Sequence, residues 1–277
     1  MKKVEIESKL INFKILRYNP DNGKPEIKEY KVEIKKGTTV LDALIFIKEN
    51  FDPTLSFRYS CRMGVCGSCG MFINGLPALA CQTQVLHLNS DTVEIKPLPN
   101  YEIIRDVVPD LETFFCKHKE IKPFIIRKDE KELENPTNEY RMTPEELEEI
   151  SQFTYCIKCG SCLSACPTYA TDSEFLGPQA LAQAYRYMAD VRDEGFNERL
   201  NVVDSPHGCW RCHYASACTQ ACPKGVDPAL AIQLLKREII FRMLGIKKER
   251  EGAKLYSPPK EKKIREGIPS PPERTVK

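Results

Sequence analysis

The chain has 277 residues, with 41 Lys and Arg against 39 Asp and Glu, and a formal net charge of +2. That balance gives no basic footprint for nucleic acid, and there is no apolar run of about 18 residues to cross a membrane as a helix. Thirteen cysteines fall short of a disulfide scaffold but are too many to be inert core thiols. The opening MKKVEIESKLINFKILRY lacks the apolar stretch of a signal peptide. The cysteines therefore read as those of a reduced compartment, where clustered thiols are metal ligands.

In chain order, Ile11, Phe13 and Ile15 alternate with polar residues, the turn-rich NPDNGKP follows, and Tyr30, Val32 and Ile34 alternate again. Period two on both sides of turn chemistry predicts a hairpin. TTVLDALIFIKEN predicts a helix capped by Thr38 or Thr39. A glycine-studded cysteine loop comes next, then MFINGLPALAC with a turn at Asn74-Gly75. Strand, strand, helix, cysteine loop, hairpin is the order of a β-grasp ferredoxin, expected over residues 1–105.

From about residue 106 the pattern is helical, and a second domain is expected over 106–245. Thr143-Pro144-Glu145-Glu146 is a capping box with proline at the first helical position. Gly177-Pro178 opens a helix expected to run to Gly195, and Asp227-Pro228 opens another that stops at Gly245. RKDEKELENPTNEY (127–140) reads as an exposed connection. Residues 246–277 hold ten Lys/Arg, five Asp/Glu and five prolines with no apolar period. They read as a tail that is disordered or laid over a partner. Its surplus of five positive charges suits either solvent or an anionic membrane surface.

Cys61, Cys66, Cys69 and Cys81 form C-x₄-C-x₂-C-x₁₁-C, the plant-type 2Fe–2S spacing. Gly64, Gly67 and Gly70 let the backbone fold back and bring N–H donors to the sulfurs. The alternative, a zinc knuckle, favours two C-x₂-C pairs. Cys156, Cys159, Cys162 and Cys166-Pro167 form C-x₂-C-x₂-C-x₃-C-P, in which the last cysteine crosses to a second cluster. Cys222-Pro223 is the reciprocal crossing ligand, so one 4Fe–4S site is Cys156, Cys159, Cys162 and Cys222. The other site has Cys166, Cys212 and Cys218, with Ala215 where a fourth cysteine would stand. Cys209, three residues before Cys212, is expected to close that corner and make a second 4Fe–4S. The alternative is a 3Fe–4S cluster with Cys209 as a free thiol. Cys116 has no partner pattern and reads as a buried or half-buried free thiol.

SCRMGVCGSCGMFINGLPALAC, CIKCGSCLSACPTY, GPQALAQAYRYMADVRD and RCHYASACTQACPKGVDPA together resemble the iron–sulfur subunit of succinate dehydrogenase and fumarate reductase, over about residues 10–245. The resemblance implies an α+β chain: an N-terminal β-grasp 2Fe–2S ferredoxin domain, then an α-helical dicluster ferredoxin domain. It also implies a flavoprotein partner with FAD, where succinate and fumarate interconvert, and a membrane-anchor or quinone-binding partner. Electrons would pass singly from flavin through three clusters to quinone, at the cytoplasmic side of the membrane, with the chain held there peripherally. No catalytic acid, base or nucleophile is required of it. Pro167, Thr168 and His213 would lie near the last cluster and the quinone; for His213 the bland alternative is a partly buried histidine at a helix start. One departure is that Thr171 stands where many family members have a tryptophan, while the sole tryptophan is Trp210. Two rivals remain, an electron-transfer subunit of a thiol-driven fumarate reductase or heterodisulfide-reductase-like complex, and a zinc-stabilised interaction module.

Overall fold

β1 (Ser8–Tyr18) and β2 (Pro25–Lys35) pair antiparallel from Ser8↔Lys35 to Tyr18↔Pro25. Ile11, Phe13, Ile15, Val32 and Ile34 are buried, because alternate positions on a strand share a face. The computed structural model describes residues 8–246 together with 253 and 255–256. α1 (Val40–Asn50) begins at a capping box in which Thr39 and Asp42 bond reciprocally, and it adds Leu41, Leu44 and Ile47 to the same core. β3 (Gly70–Ile73) and β4 (Leu76–Leu79) form a hairpin whose turn, Asn74-Gly75, has φ of 46° and 86°, the geometry that Asn-Gly supplies at low cost. β5 (Thr92–Lys96) inserts between β1 and β3, parallel to the first and antiparallel to the second, giving the order β2-β1-β5-β3-β4.

β6 (Ile103–Arg105) and β7 (Val108–Pro109) lead into the helical half. It contains α2 (Glu112–Glu120), α3 (Glu130–Glu134), β8 (Glu139–Tyr140), α4 (Pro144–Thr154), α5 (Ser161–Ser164) and α6 (Pro167–Thr171). α7 (Pro178–Met188), α8 (Phe196–Val203), α9 (Ala217–Gln220), α10 (Pro228–Met243) and β9 (Leu255–Tyr256) follow. Its core joins Phe114, Phe153, Leu181 and Leu235 among others, and is separate from the core under the sheet. α4 starts at the Thr143–Glu146 capping box and α10 at Asp227, as expected.

Three details differ from expectation. The helix opened by Gly177-Pro178 ends at Met188 and not at Gly195. The carboxyls beyond it are taken up locally, Asp190 by Arg192 and Asp193 by Arg199, and Gly195 caps the start of α8 instead. Cys116 is exposed, because α2 buries Phe114, Lys117 and His118 on its inner face. The 127–140 connection is not wholly exposed, since the Glu132 carboxylate is buried and accepts the backbone N–H groups of Thr137 and Asn138. Of the tail, Ile246 N donates to Phe241 O, Leu255–Tyr256 pairs antiparallel with Glu139–Tyr140 and Ala253 N donates to Val191 O; the rest lies outside the described residues.

Candidate metal centres

Residues 51–69, between α1 and β3, form no regular element, and the first three cysteines sit there. Arg62, Gly64 and Gly67 have φ of 57°, 71° and 75°, which curls the backbone around Cys61. The N–H groups of Met63, Val65 and Cys66 donate to Cys61 Sγ at 3.5, 3.3 and 3.3 Å. Cys69 and Cys81 are buried beneath, while Cys66 is exposed. Hydrogen bonds, that of Ser68's hydroxyl foremost, draw Cys66 down to about 6, whereas burial and the neighbouring Cys81 and Cys66 thiols push Cys69 up to about 12. The four thiols that the spacing grouped are therefore brought together, and three loop amides already point at the sulfur of Cys61.

The second set lines a cavity between the 156–162 loop and the start of α10, where Cys156, Cys159, Cys162 and Cys222 meet Gln179. Burial pushes Cys156, Cys159 and above all Cys162 upward, and each would-be thiolate pushes its neighbours further. Buried thiols that disfavour one another's ionisation are stable as thiolates only around a cation. The donor set therefore fits iron–sulfur groups. In all three sets every cysteine is free of disulfide.

A second cavity is lined by Cys166, Cys212, Cys218, Pro167, Thr168 and Ala215, among others. Its loop repeats the backbone of the other. Lys158 and Gly160 have φ of 55° and 81°, and Tyr214 and Ser216, at the matching positions after Cys156 and Cys212, have 59° and 58°. Each loop then enters a four-residue helix, α5 or α9. Ala215 thus occupies the position of Cys159, and it is exposed. Cys209 does not line this cavity. It is 0 % exposed in the helical core, and burial pushes its thiol up to about 12. Cys209 stands in the turn Cys209–Arg211 with its side chain in the helical core, while Ala215 stands at the position that Cys159 holds in the companion loop. Of the residues expected near quinone, Pro167 and Thr168 line the cavity, whereas His213 is exposed in the loop before α9, neither lining the cavity nor partly buried. Thr171 is exposed and donates to Thr168 O at 3.0 Å. Trp210 donates to Asp204, with Lys236 Nζ 5.9 Å from its ring centre and bonded to Cys212 O.

The first two sites touch. A Cβ on Gly67 would lie 2.9 Å from Cys159 Cα, and one on Gly70 3.1 Å from Cys159 O. Tyr101 Oη donates to Gly160 O at 2.9 Å, and Asn100 Nδ2 reaches the carbonyls of Leu163, Ser164 and Cys166. The sheet half is thereby pinned to the helical loops at the place where the two thiol sets adjoin. Sequence spacing had singled out neither this pair nor the buried His118 and Gln179 beside the second set. Only their burial and contacts reveal them.

Comparison with known proteins agrees with this arrangement. Residues 12–116 match a 2Fe-2S iron-sulfur cluster binding domain and residues 152–226 a 4Fe-4S dicluster domain. The chain is 46% identical over 227 residues to a fumarate reductase iron-sulfur subunit of Mycobacterium tuberculosis, covering 82% of this chain and 91% of that protein. It is 42% identical over 235 residues to a succinate dehydrogenase iron-sulfur subunit of Paracoccus denitrificans, covering 84% and 89%. Among solved structures, a chain of the Mycobacterium smegmatis Sdh1 complex in the apo form matches with a TM-score of 0.75 at 25% identity, covering 86% of this chain and 98% of that one. An α+β chain with a 2Fe–2S half, a dicluster half and thiols gathered where each needs them belongs to the family of fumarate reductase and succinate dehydrogenase iron–sulfur subunits.

Proposed function

We propose that this chain carries electrons one at a time between the FAD of a flavoprotein subunit, where succinate and fumarate interconvert, and a quinone at a membrane-anchor subunit. Cys61, Cys66, Cys69 and Cys81 hold a 2Fe–2S cluster, and Cys156, Cys159, Cys162 and Cys222 a 4Fe–4S cluster. Cys166, Cys212 and Cys218 hold a 3Fe–4S cluster whose missing ligand is Ala215. Bound clusters supply one-electron redox centres; the chain's own residues hold, insulate and space them. The observation that carries the reading is the backbone contact of Gly67 and Gly70 with Cys159, which leaves no room for anything but ligand loops between the first two sites. The exposed rim of Tyr59, Met63 and Val65 around Cys66 is an apolar seat for the flavoprotein. Trp210 and Tyr214, exposed in the segment that carries Cys212 and Ala215 of the third cavity, offer a seat to the anchor. Among the described residues no helix is long and apolar enough to cross a membrane, so attachment at the cytoplasmic face runs through that partner.

Succinate added without oxygen to the complex purified with its partners should generate the reduced 2Fe–2S paramagnetic signal, and a quinone should discharge it. Cys66→Ala should abolish that signal while the helical clusters still assemble. A complex whose clusters are never reduced by succinate would contradict the proposal.

A further inference from the structure

α2 and the first turn of α7 place two polar side chains in the apolar core beside the second thiol set. His118 is 8 % exposed and Gln179 is 3 % exposed. Gln179 Nε2 lies 3.9 Å from Cys156 Sγ and 3.2 Å from His118 Nδ1, so one amide nitrogen faces both. Its Oε1 is buried with no hydrogen-bond partner among the described residues.

The chemistry of the two neighbours fixes the amide's orientation. An iron-bound thiolate sulfur only accepts, so an amide turned the other way would set its oxygen against the sulfur's negative charge. The NH₂ group therefore faces Cys156. The same nitrogen then has its second proton toward His118 Nδ1, which must be the lone-pair nitrogen, with the imidazole proton on Nε2. Burial, reinforced by Lys158, holds His118 down at about 4, in keeping with a neutral acceptor. Because Oε1 is unpartnered, His118 is what keeps the amide from rotating away.

We propose that His118 is a positioning residue for the 4Fe–4S site, holding the Gln179 amide so that its N–H points at the sulfur of Cys156. An N–H dipole aimed at a ligand sulfur favours the more negative, reduced cluster over the oxidised one, and so raises the reduction potential. The pair thus tunes the middle centre of the chain upward without touching iron. The inference rests on the ligand assignment of the second site given above.

The test is a redox titration of the intact complex, followed by the paramagnetic signal of the reduced 4Fe–4S cluster. His118→Leu and Gln179→Leu should each shift its midpoint potential negative, with the potentials of the other two clusters unchanged. The double variant should shift no further than Gln179→Leu alone, because His118 acts only through the amide. An unshifted potential in His118→Leu, or a His118→Leu shift that persists undiminished in the Gln179→Leu background, overturns the role of His118. Absence of any 4Fe–4S signal from the wild-type complex would instead contradict the ligand assignment. A further measurement needs no variant to fold. Wild-type protein carrying ¹⁵N in its glutamine side chains should show a weak nitrogen coupling to the reduced cluster by electron–nuclear double resonance, and its absence overturns the proposal.

Discussion

Cys209 and Ala215 show how far a single residue's surroundings decide its chemistry. Both lie within a few positions of Cys212, yet Cys209 is in the core and Ala215 sits at the corner that Cys159 fills in the companion loop. Cys209→Ala should therefore leave the oxidised three-iron signal intact and lower stability by about 1–3 kcal/mol, the scale of a small cavity in a core. Ala215→Cys should supply the missing thiolate and quench that signal in the oxidised protein by completing a cubane. Thermal unfolding and low-temperature paramagnetic resonance read the two effects separately. Spacing alone grouped the eleven cysteines other than Cys116 and Cys209 into the three sets that the fold gathers, because ligand geometry constrains the number of residues between thiols. The burial of Cys209 was not legible, since proximity along the chain says nothing of which way a turn faces its side chain. The burial of Lys117 and His118 was equally hidden: in FFCKHKE they look solvent-facing, but they share a helix face with Phe114.

At the scale of elements, a buried ionic staple closes the sheet half. The Arg17 guanidinium on β1 donates to Asp106 at 2.9 Å, to Asp52, to Tyr30 Oη and to Thr54 Oγ1, while Asp106 also accepts from Ser56 N at the foot of the cysteine loop. Against the effect of burial, hydrogen bonds from Thr54, Tyr30 and Arg17 hold the Asp52 carboxyl well below the usual carboxylate range. Arg17→Met would strand the buried Asp106 carboxylate and the half-buried Asp52 and should cost roughly 3–5 kcal/mol, seen as earlier thermal loss of the sheet signal in circular dichroism. The contact between halves is a second element-scale feature. Gly67→Ala would combine a left-handed φ of 75° with a methyl group 2.9 Å from Cys159 Cα. The conformation alone costs about 1–2 kcal/mol, and the clash must separate the loops. Succinate-to-quinone turnover should slow although each cluster still assembles. Unchanged turnover would show that the halves tolerate separation. The sequence announced the elements here through period-two strands and capping boxes, but the helix after Gly177-Pro178 looked longer than it is. Asp190, 1 % exposed and bonded to Arg192, belongs to a turn that helical periodicity could not distinguish.

The whole molecule is two apolar cores joined where ligand loops meet. The sheet core supports one thiol set at an exposed rim. The helical core wraps two more, with helices of four and five residues that are too short to persist without the centres they enclose. Ala215, which lines the third site, is exposed. The central proposal is that this chain holds three centres, the third a three-iron cluster with Ala215 at its missing corner. It is tested most directly by low-temperature electron paramagnetic resonance of the intact, air-oxidised complex followed through stepwise reduction. The account predicts a three-iron signal in the oxidised protein that disappears on reduction, with a 2Fe–2S signal taking its place. An oxidised spectrum that is silent, in undamaged protein with its iron retained, would contradict it.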